Sequence, residues 1–265
     1  MGFTAACMHN GWRPWDGRSG MEFVRTMGLF RKRKKEQEPL CSAVIVAAGN
    51  SSRMGLDKVM AEVGSVPVIV RCIEAFQQAP SVAEVVVVTK EELVPEVARL
   101  CQEFALDKVA KVIRGGTTRT ESARMGTLEA DQNLPVIAIH DGARPFVTVQ
   151  VIEAAVSQAA LSGAAAPAVP VKDTIKTANN SVVEETLDRA RLYAVQTPQV
   201  FDASLIRAAL QKALDDGEEL TDDCTAVERL GMRVVLTAGD ERNIKLTTPM
   251  DLVLGESLAE EAAYQ

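Results

Sequence analysis

The sequence predicts an α/β fold: a mostly parallel sheet flanked by helices, with a β-arm protruding from it. Three observations carry that prediction. Runs of consecutive small and β-branched residues (SAVIVAA, EVVVVT, VIAIH) recur along the chain, as expected of strands buried on both faces of a parallel sheet. Amphipathic stretches with apolar residues at helical spacing lie between them. From about residue 172 to 198 the rhythm breaks into polar residues, Asn179-Asn180 and short β-like pieces (VVEETL, LYAVQT).

Taken in order, Ser42 to Ala48 reads as the first strand, ending in Gly49. Val66 to Ala79 reads as a helix stopped by Pro80. Glu84 to Thr89 is a second buried strand, Leu93 to Phe104 a helix, and Lys111 to Arg114 a short strand before Gly115-Gly116. Glu121 to Ala130 reads as helix and Val136 to His140 as strand. Val151 to Leu161 sets Val151, Ile152, Ala155, Val156 and Ala159 on one face, with Gly163 as the stop. Ala164 to Val171 is another core strand. Ser204 is placed as the cap of a helix ending before Gly217, and Thr221 as the cap of the next, with Asp222 and Asp223 in its positive first turn. Arg233 to Thr237 is strand-like, and Thr248-Pro249 opens the last helix with a cap and Pro at its first position. Strands alternating with helices in this way form βαβ units, and the fold is Rossmann-like. The stretch 172–198 reads as a projecting hairpin arm, a long surface loop being the alternative.

The chain has 265 residues, 47% apolar and 25% charged. That is an ordinary globular balance, fitting one large domain. A net charge of −7 argues against sequence-independent nucleic-acid binding, which needs a basic face. Five scattered cysteines (Cys7, Cys41, Cys72, Cys101, Cys224) without a CxxC pair speak against structural zinc or a disulfide framework and for a reducing cytoplasm. No run of eighteen apolar residues predicts a spanning helix. Residues 1–40 are of different texture, with Arg31 to Lys35 following Phe23 and Phe30. They are read as an N-terminal tail outside the domain at 41–265. A membrane-surface or targeting segment is one further reading, and a true start at Met21 another.

In a parallel sheet ligands bind beyond the carboxyl ends of the strands, and four such ends carry unusual polar content. The segment from Ala47 to Lys58 (AAGNSSRMGLDK) offers small residues whose backbone can cradle phosphate, a planar fork in Arg53 and a point charge in Lys58. It is neither a Walker A loop nor a dinucleotide fingerprint. Gly115-Gly116 before a helix start allows close approach to a flat base, with Ser122 near its edge; a plain glycine turn with a capped helix is the alternative. HDGARP (His140 to Pro145) puts Asp141 and Gly142 at a core strand end, where an acid can steer metal-bound phosphates. His140 itself reads as packed and tautomer-fixed, since one His beside an acid is not a triad. Lys245, between a strand and a capped helix, can point into the same crevice.

In this order the segments strongly resemble the 2-C-methyl-D-erythritol 4-phosphate cytidylyltransferase family, from about Ser42 to Leu258. HDGARP, VKDTIK (Val171 to Lys176), QTPQ (Gln196 to Gln199), LTDD (Leu220 to Asp223) and RNIK (Arg242 to Lys245) carry the resemblance jointly. It implies CTP as co-substrate, Mg²⁺ as the divalent cation, and CMP transfer to 2-C-methyl-D-erythritol 4-phosphate with release of pyrophosphate. Ala47, Ala48, Gly49, Arg53 and Lys58 then line the triphosphate, Gly116 and Ser122 read cytosine, and Gly142 touches the ribose. Asp141, Arg144, Thr174, Arg189, Thr197, Thr221 and Lys245 fall where the family binds the acceptor, and Mg²⁺ bridges the phosphates near Asp141. Arg53, Lys58 and Lys245 supply the catalytic charge. The arm, with Thr174 and Arg189, implies a homodimer in which each active site is completed by its neighbour. Ser51 and Val59 depart from the family pattern, a second Gly and a Gln or Pro being common there. A related nucleotidyltransferase acting on ribitol 5-phosphate or a sugar 1-phosphate is the nearest rival, and a nucleotide-binding protein without catalysis a rival of another class. An NAD-dependent oxidoreductase fails on the absent fingerprint and on Thr89-Lys90, where the second strand lacks its acidic residue.

Overall fold

The computed structural model describes residues 41–49, 59–218 and 220–263. The elements in chain order are β1 (Cys41–Val46), β2 (Glu62–Val63), β3 (Val66–Pro67), α1 (Val68–Gln78), β4 (Val82–Thr89), α2 (Val94–Glu103), β5 (Val109–Arg114), α3 (Arg119–Glu129), β6 (Val136–Asp141), α4 (Val149–Ser162), β7 (Ala164–Pro170), β8 (Lys176–Asn179), β9 (Val182–Thr186), β10 (Tyr193–Val195), β11 (Gln199–Asp202), α5 (Ala203–Asp215), α6 (Asp223–Arg229), β12 (Val235–Ala238) and α7 (Pro249–Ala263). Eight strands form one sheet in the order β10-β7-β11-β6-β1-β4-β5, with β12 added to β7. Strands β6, β1, β4 and β5 run parallel, while β11 lies antiparallel between β6 and β7. The α/β class and mostly parallel sheet agree with the sequence expectation.

All six residues of β1 are buried, because the strand sits between β4 and β6 and faces helices on both sides. Ala43 and Ile45 join the apolar layer containing residues of α1, α2 and α4. Val44 and Val46 face the opposite layer, built from α3, α5 and α6. Two-sided burial is why β1 carries a continuous apolar run rather than an alternation.

Several element ends differ from expectation by a residue or two, and three of the differences have a visible cause. The helix expected from Val66 begins at Val68, since Val66–Pro67 pairs with Glu62–Val63 as a two-residue ribbon. The cap of α5 is Asp202, not Ser204: its carboxylate accepts from the Ser204 and Leu205 backbone N–H groups and the Ser204 hydroxyl. The cap of α6 is Asp222, not Thr221, through a 2.9 Å bond from the Thr225 N–H. In both cases an acid stands beside a hydroxyl residue, and a carboxylate with two acceptor oxygens serves the positive end of the helix better.

Residues 176–186 form an antiparallel hairpin, β8 with β9, that among the described residues pairs with no other strand, whereas Tyr193–Val195, expected within the 172–198 arm, pairs with β7 in the main sheet. Every residue of both strands is exposed.

Candidate active site

The carboxyl ends of β1, β4, β5 and β6 open onto one crevice of about 650 Å³. Three backbone bonds extend the strand pairing into its rim: Ala47 N–H to Val88 O (2.7 Å), Gly115 N–H to Thr89 O (2.7 Å) and Gly142 N–H to Val46 O (2.9 Å). The loops therefore converge tightly, and side chains must be small where they meet. A Cβ on Gly115 would fall 2.4 Å from the Ala48 Cβ, and one on Gly142 2.9 Å from the Ala47 Cβ.

Behind the Gly115-Gly116 turn, α3 opens with a capping box. The Thr118 hydroxyl accepts from the Glu121 N–H, and Glu121 reaches back to the Thr118 N–H. The Glu121 carboxylate also accepts from the hydroxyl and backbone N–H of Thr117, and these bonds hold its pKa below the usual range. The Ser122 hydroxyl donates to Thr118 O at 2.9 Å and accepts from Gly116 N–H at 3.1 Å. Ser122 thus shapes the glycine turn from beneath, with its only proton committed to the backbone.

Asp141 is the electrostatic centre of the floor. Its Oδ2 lies 2.8 Å from Lys245 Nζ and 3.8 Å from Arg144 Nε, and its Oδ1 lies 3.2 Å from Arg119 Nε. Burial disfavours the ionised carboxyl, but Arg119, Lys245 and Arg144 outweigh it and hold the pKa well below the carboxylate range. Arg119 also forks onto Asp223, with Nη1 to Oδ1 at 2.9 Å and Nη2 to Oδ2 at 2.7 Å. Burial works against the Arg119 charge, and Asp223 and Asp141 more than restore it, pushing its pKa above the usual value.

His140, one residue before the acid, is fully buried, with its ring 5.0 Å from that of Phe76. Desolvation lowers its pKa to about 4, so the imidazole is neutral near pH 7. Its Nε2 lies 3.1 Å from Arg144 O, and a carbonyl can only accept, so Nε2 carries the proton. Nδ1 then accepts from the Thr197 hydroxyl at 2.9 Å, while that hydroxyl accepts from the Asp141 N–H at 3.1 Å. The packed, tautomer-fixed reading of His140 fits this geometry.

Two glutamines of the QTPQ segment brace the rest. Gln196 donates to Asp240 O and accepts from Asp240 N–H and Asn243 Nδ2, pinning the loop that carries Lys245. Gln199 accepts from the Asp223 and Cys224 N–H groups and donates to Asp222, pinning the start of α6. Buried Asn243 adds a bond to Thr197 O, and Arg144 Nη1 donates to Asn243 O.

Comparison with known proteins decides what this arrangement belongs to. The family model for 2-C-methyl-D-erythritol 4-phosphate cytidylyltransferase matches residues 41–261. The chain belongs to that family. The enzyme of this name from Caldanaerobacter subterraneus is 46% identical over 223 residues, covering 81% of this chain and 96% of the relative. Among solved structures, 4-diphosphocytidyl-2C-methyl-D-erythritol synthase from Anaerococcus prevotii superposes with a TM-score of 0.76 at 26% identity, over 84% of this chain and 99% of that one. The Thermus thermophilus cytidylyltransferase superposes at 0.69 with 32% identity, over 82% and 98%.

Within this cytidylyltransferase family member, the site residues expected from sequence fall into groups. Ala47, Ala48, Gly49, Gly116, Ser122, Asp141 and Lys245 line the crevice. Arg144 and Thr197 bond to the groups that position Asp141 and Lys245, and Gly142 packs behind Ala47. Thr174, Arg189 and Thr221 are exposed and do not line the crevice of their own chain. Arg53, Lys58 and Ser51 lie outside the described residues, and Val59 is buried at the crevice wall. Sequence reading gave no role to Arg119, Asp223 or the two glutamines. The doubled acid of LTDD beside a helix start was the available signal.

Proposed function

We propose that this crevice transfers CMP from CTP to 2-C-methyl-D-erythritol 4-phosphate, giving 4-diphosphocytidyl-2-C-methyl-D-erythritol and pyrophosphate. The observation that carries the site assignment is the cluster of Lys245, Arg144 and Arg119 around Asp141 at the strand ends, in a chain matched to the family across residues 41–261. An oxygen of the acceptor phosphate attacks the α-phosphorus of CTP. A new P–O bond forms, the bond to the β-phosphate breaks, and pyrophosphate leaves with the electron pair. A phosphate dianion needs no base to become nucleophilic, so the protein's task is to bring two anions together and hold the charge that develops. Lys245 faces that charge from the floor, and we assign Arg53 and Lys58 to the triphosphate. Ala47 to Gly49, Gly116 and Ser122 are assigned to CTP, with Gly142 at the ribose. Asp141, Arg144, Thr197 and Thr221 are assigned to the acceptor side.

Among the described residues no group of three or more His, Cys, Asp or Glu is placed to hold a metal, and both Asp141 oxygens face cationic side chains. Mg²⁺ would therefore enter with the triphosphate, Asp141 acting on it only indirectly. When bound, the ion would neutralise phosphate charge.

We further propose a homodimer built on the arm, in which Thr174 and Arg189 reach the neighbour's crevice. The exposed apolar surface of Val182 (69%), Val183 (54%) and Tyr193 (49%) supports it. Among the described residues no helix is long and apolar enough to cross a membrane. The four cysteines among the described residues are free and buried, which suits the cytoplasm, where we place the reaction. The test is pyrophosphate release with CTP and Mg²⁺, comparing methylerythritol phosphate, ribitol 5-phosphate and glucose 1-phosphate. Release with methylerythritol phosphate alone is expected; release only with another acceptor would overturn the substrate assignment.

A further inference from the structure

We infer that Arg119 is a positioning residue: it divides the Asp141 carboxylate with Lys245 and so keeps the Lys245 ammonium available to a phosphate in the crevice. The kinetic part of this inference rests on the function proposed above. Asp141 presents one oxygen to each partner, Oδ1 to Arg119 and Oδ2 to Lys245. Arg119 cannot leave that position easily, because its other edge is forked onto Asp223. Asp223 is 1% exposed, and its backbone N–H is held by Gln199. The guanidinium uses two edges, Nε toward Asp141 and the Nη1/Nη2 pair onto both Asp223 oxygens, a planar geometry that the single nitrogen of a lysine cannot reproduce.

The charge balance points the same way. Arg119, Arg144 and Lys245 face Asp141 and Asp223, so the cluster holds three positive charges against two negative ones. That surplus is what a phosphate requires. Without Arg119 the cluster is neutral, Lys245 has lost its competitor for Asp141, and the ammonium is drawn onto the carboxylate. Without Asp223 the opposite follows: the guanidinium turns more fully to Asp141, and Lys245 is released.

The two substitutions therefore shift Lys245 in opposite directions, whereas general loosening of the fold would shift it the same way in both. The experiment is trace acylation of the full chain with an N-hydroxysuccinimide ester, reading each lysine by mass spectrometry in wild type, Arg119→Gln and Asp223→Asn. Slower labelling of Lys245 in Arg119→Gln and faster labelling in Asp223→Asn is expected, and a shift in the same direction in both would overturn the inference. Steady-state kinetics on the same proteins should show kcat/KM for the phosphorylated acceptor falling about tenfold or more in Arg119→Gln, with KM for CTP changed far less. Unchanged or faster Lys245 labelling in Arg119→Gln would overturn the positioning role, as would acceptor and CTP constants worsening together in step with a falling Tm. Should the wild-type chain release no pyrophosphate, the proposed function fails, while the labelling still decides whether Arg119 controls Lys245.

Discussion

The crevice floor and the β8–β9 hairpin are built on opposite terms. At the floor, Asp141 is held by three cations and a threonine hydroxyl, and Arg119, Arg144 and Thr197 are held in turn by Asp223, Asn243 O and His140. The hairpin pairs only with itself, all of its strand residues are exposed, and it presents Val182 and Val183 to solvent. Its neighbouring Arg189 is tied down by one bond, Nη1 to Lys172 O at 2.6 Å. The charges around Asp141 are bonded to one another within the chain, whereas the arm turns apolar side chains to solvent. A fold that fixes its electrostatics internally can leave the shape of the acceptor pocket to be finished from outside.

The comparison breaks most visibly at Lys245. Lys245→Ala is expected to lower kcat by about a hundredfold, on the order of 3 kcal/mol of transition-state stabilisation. Tm should barely change, because the side chain is 39% exposed; a large fall in Tm would mean the residue is structural.

His140 tests how firmly the floor is buried. Its pKa is lowered from 6.5 to about 4, so between those values the unfolded chain takes up a proton that the folded chain refuses. Stability must therefore decline as pH falls from 6.5 toward 4, by up to about 3 kcal/mol. Urea midpoints for wild type and His140→Gln across that range would check it, the variant giving the flatter profile. The depressed Asp141 works in a separate, lower window. Its contribution is present above the ordinary aspartate pKa and is lost as pH falls below that toward the folded value.

Smaller effects sharpen the contrast. Thr118→Ala removes the α3 cap behind the glycine turn and should cost about 1 kcal/mol, read as a lower urea midpoint. Val182→Asp should move protomer stability by less than about 0.5 kcal/mol, as surface substitutions do. If the proposed dimer forms on the arm, the same variant should shift it to monomer in light scattering and lower activity at dilute concentration. A variant that keeps both mass and activity would remove the hairpin from the assembly.

Strands and helices were legible because two-sided burial leaves an unbroken apolar run, as in β1, and one-sided burial leaves a period, as in α4. The helix starts were one or two residues off where an acid and a hydroxyl competed to cap, at Asp202 against Ser204 and at Asp222 against Thr221. The motifs HDGARP and RNIK are enough to set Asp141 and Lys245 at strand ends that share a crevice. What local sequence does not encode is a bond between residues 104 positions apart, as in the Arg119–Asp223 fork. In sequence, Arg119 is one cation beside a glycine pair, and Asp223 is one of two acids at a helix start. They meet because α3, crossing back over β4 and β1, shares one layer with α5 and α6.

Gln196 and Gln199, three residues apart, grip two segments that are otherwise remote in sequence, the 239–245 loop and the start of α6. Neither segment can open alone without breaking bonds to that short stretch. Thermal breathing of the floor is thereby made collective. Amide hydrogen exchange at Asp240, Asp223 and Cys224 should report shared opening events, with similar protection despite their distance along the chain. A ligand that quiets one segment would quiet the other, and release of product would be timed by the pair together.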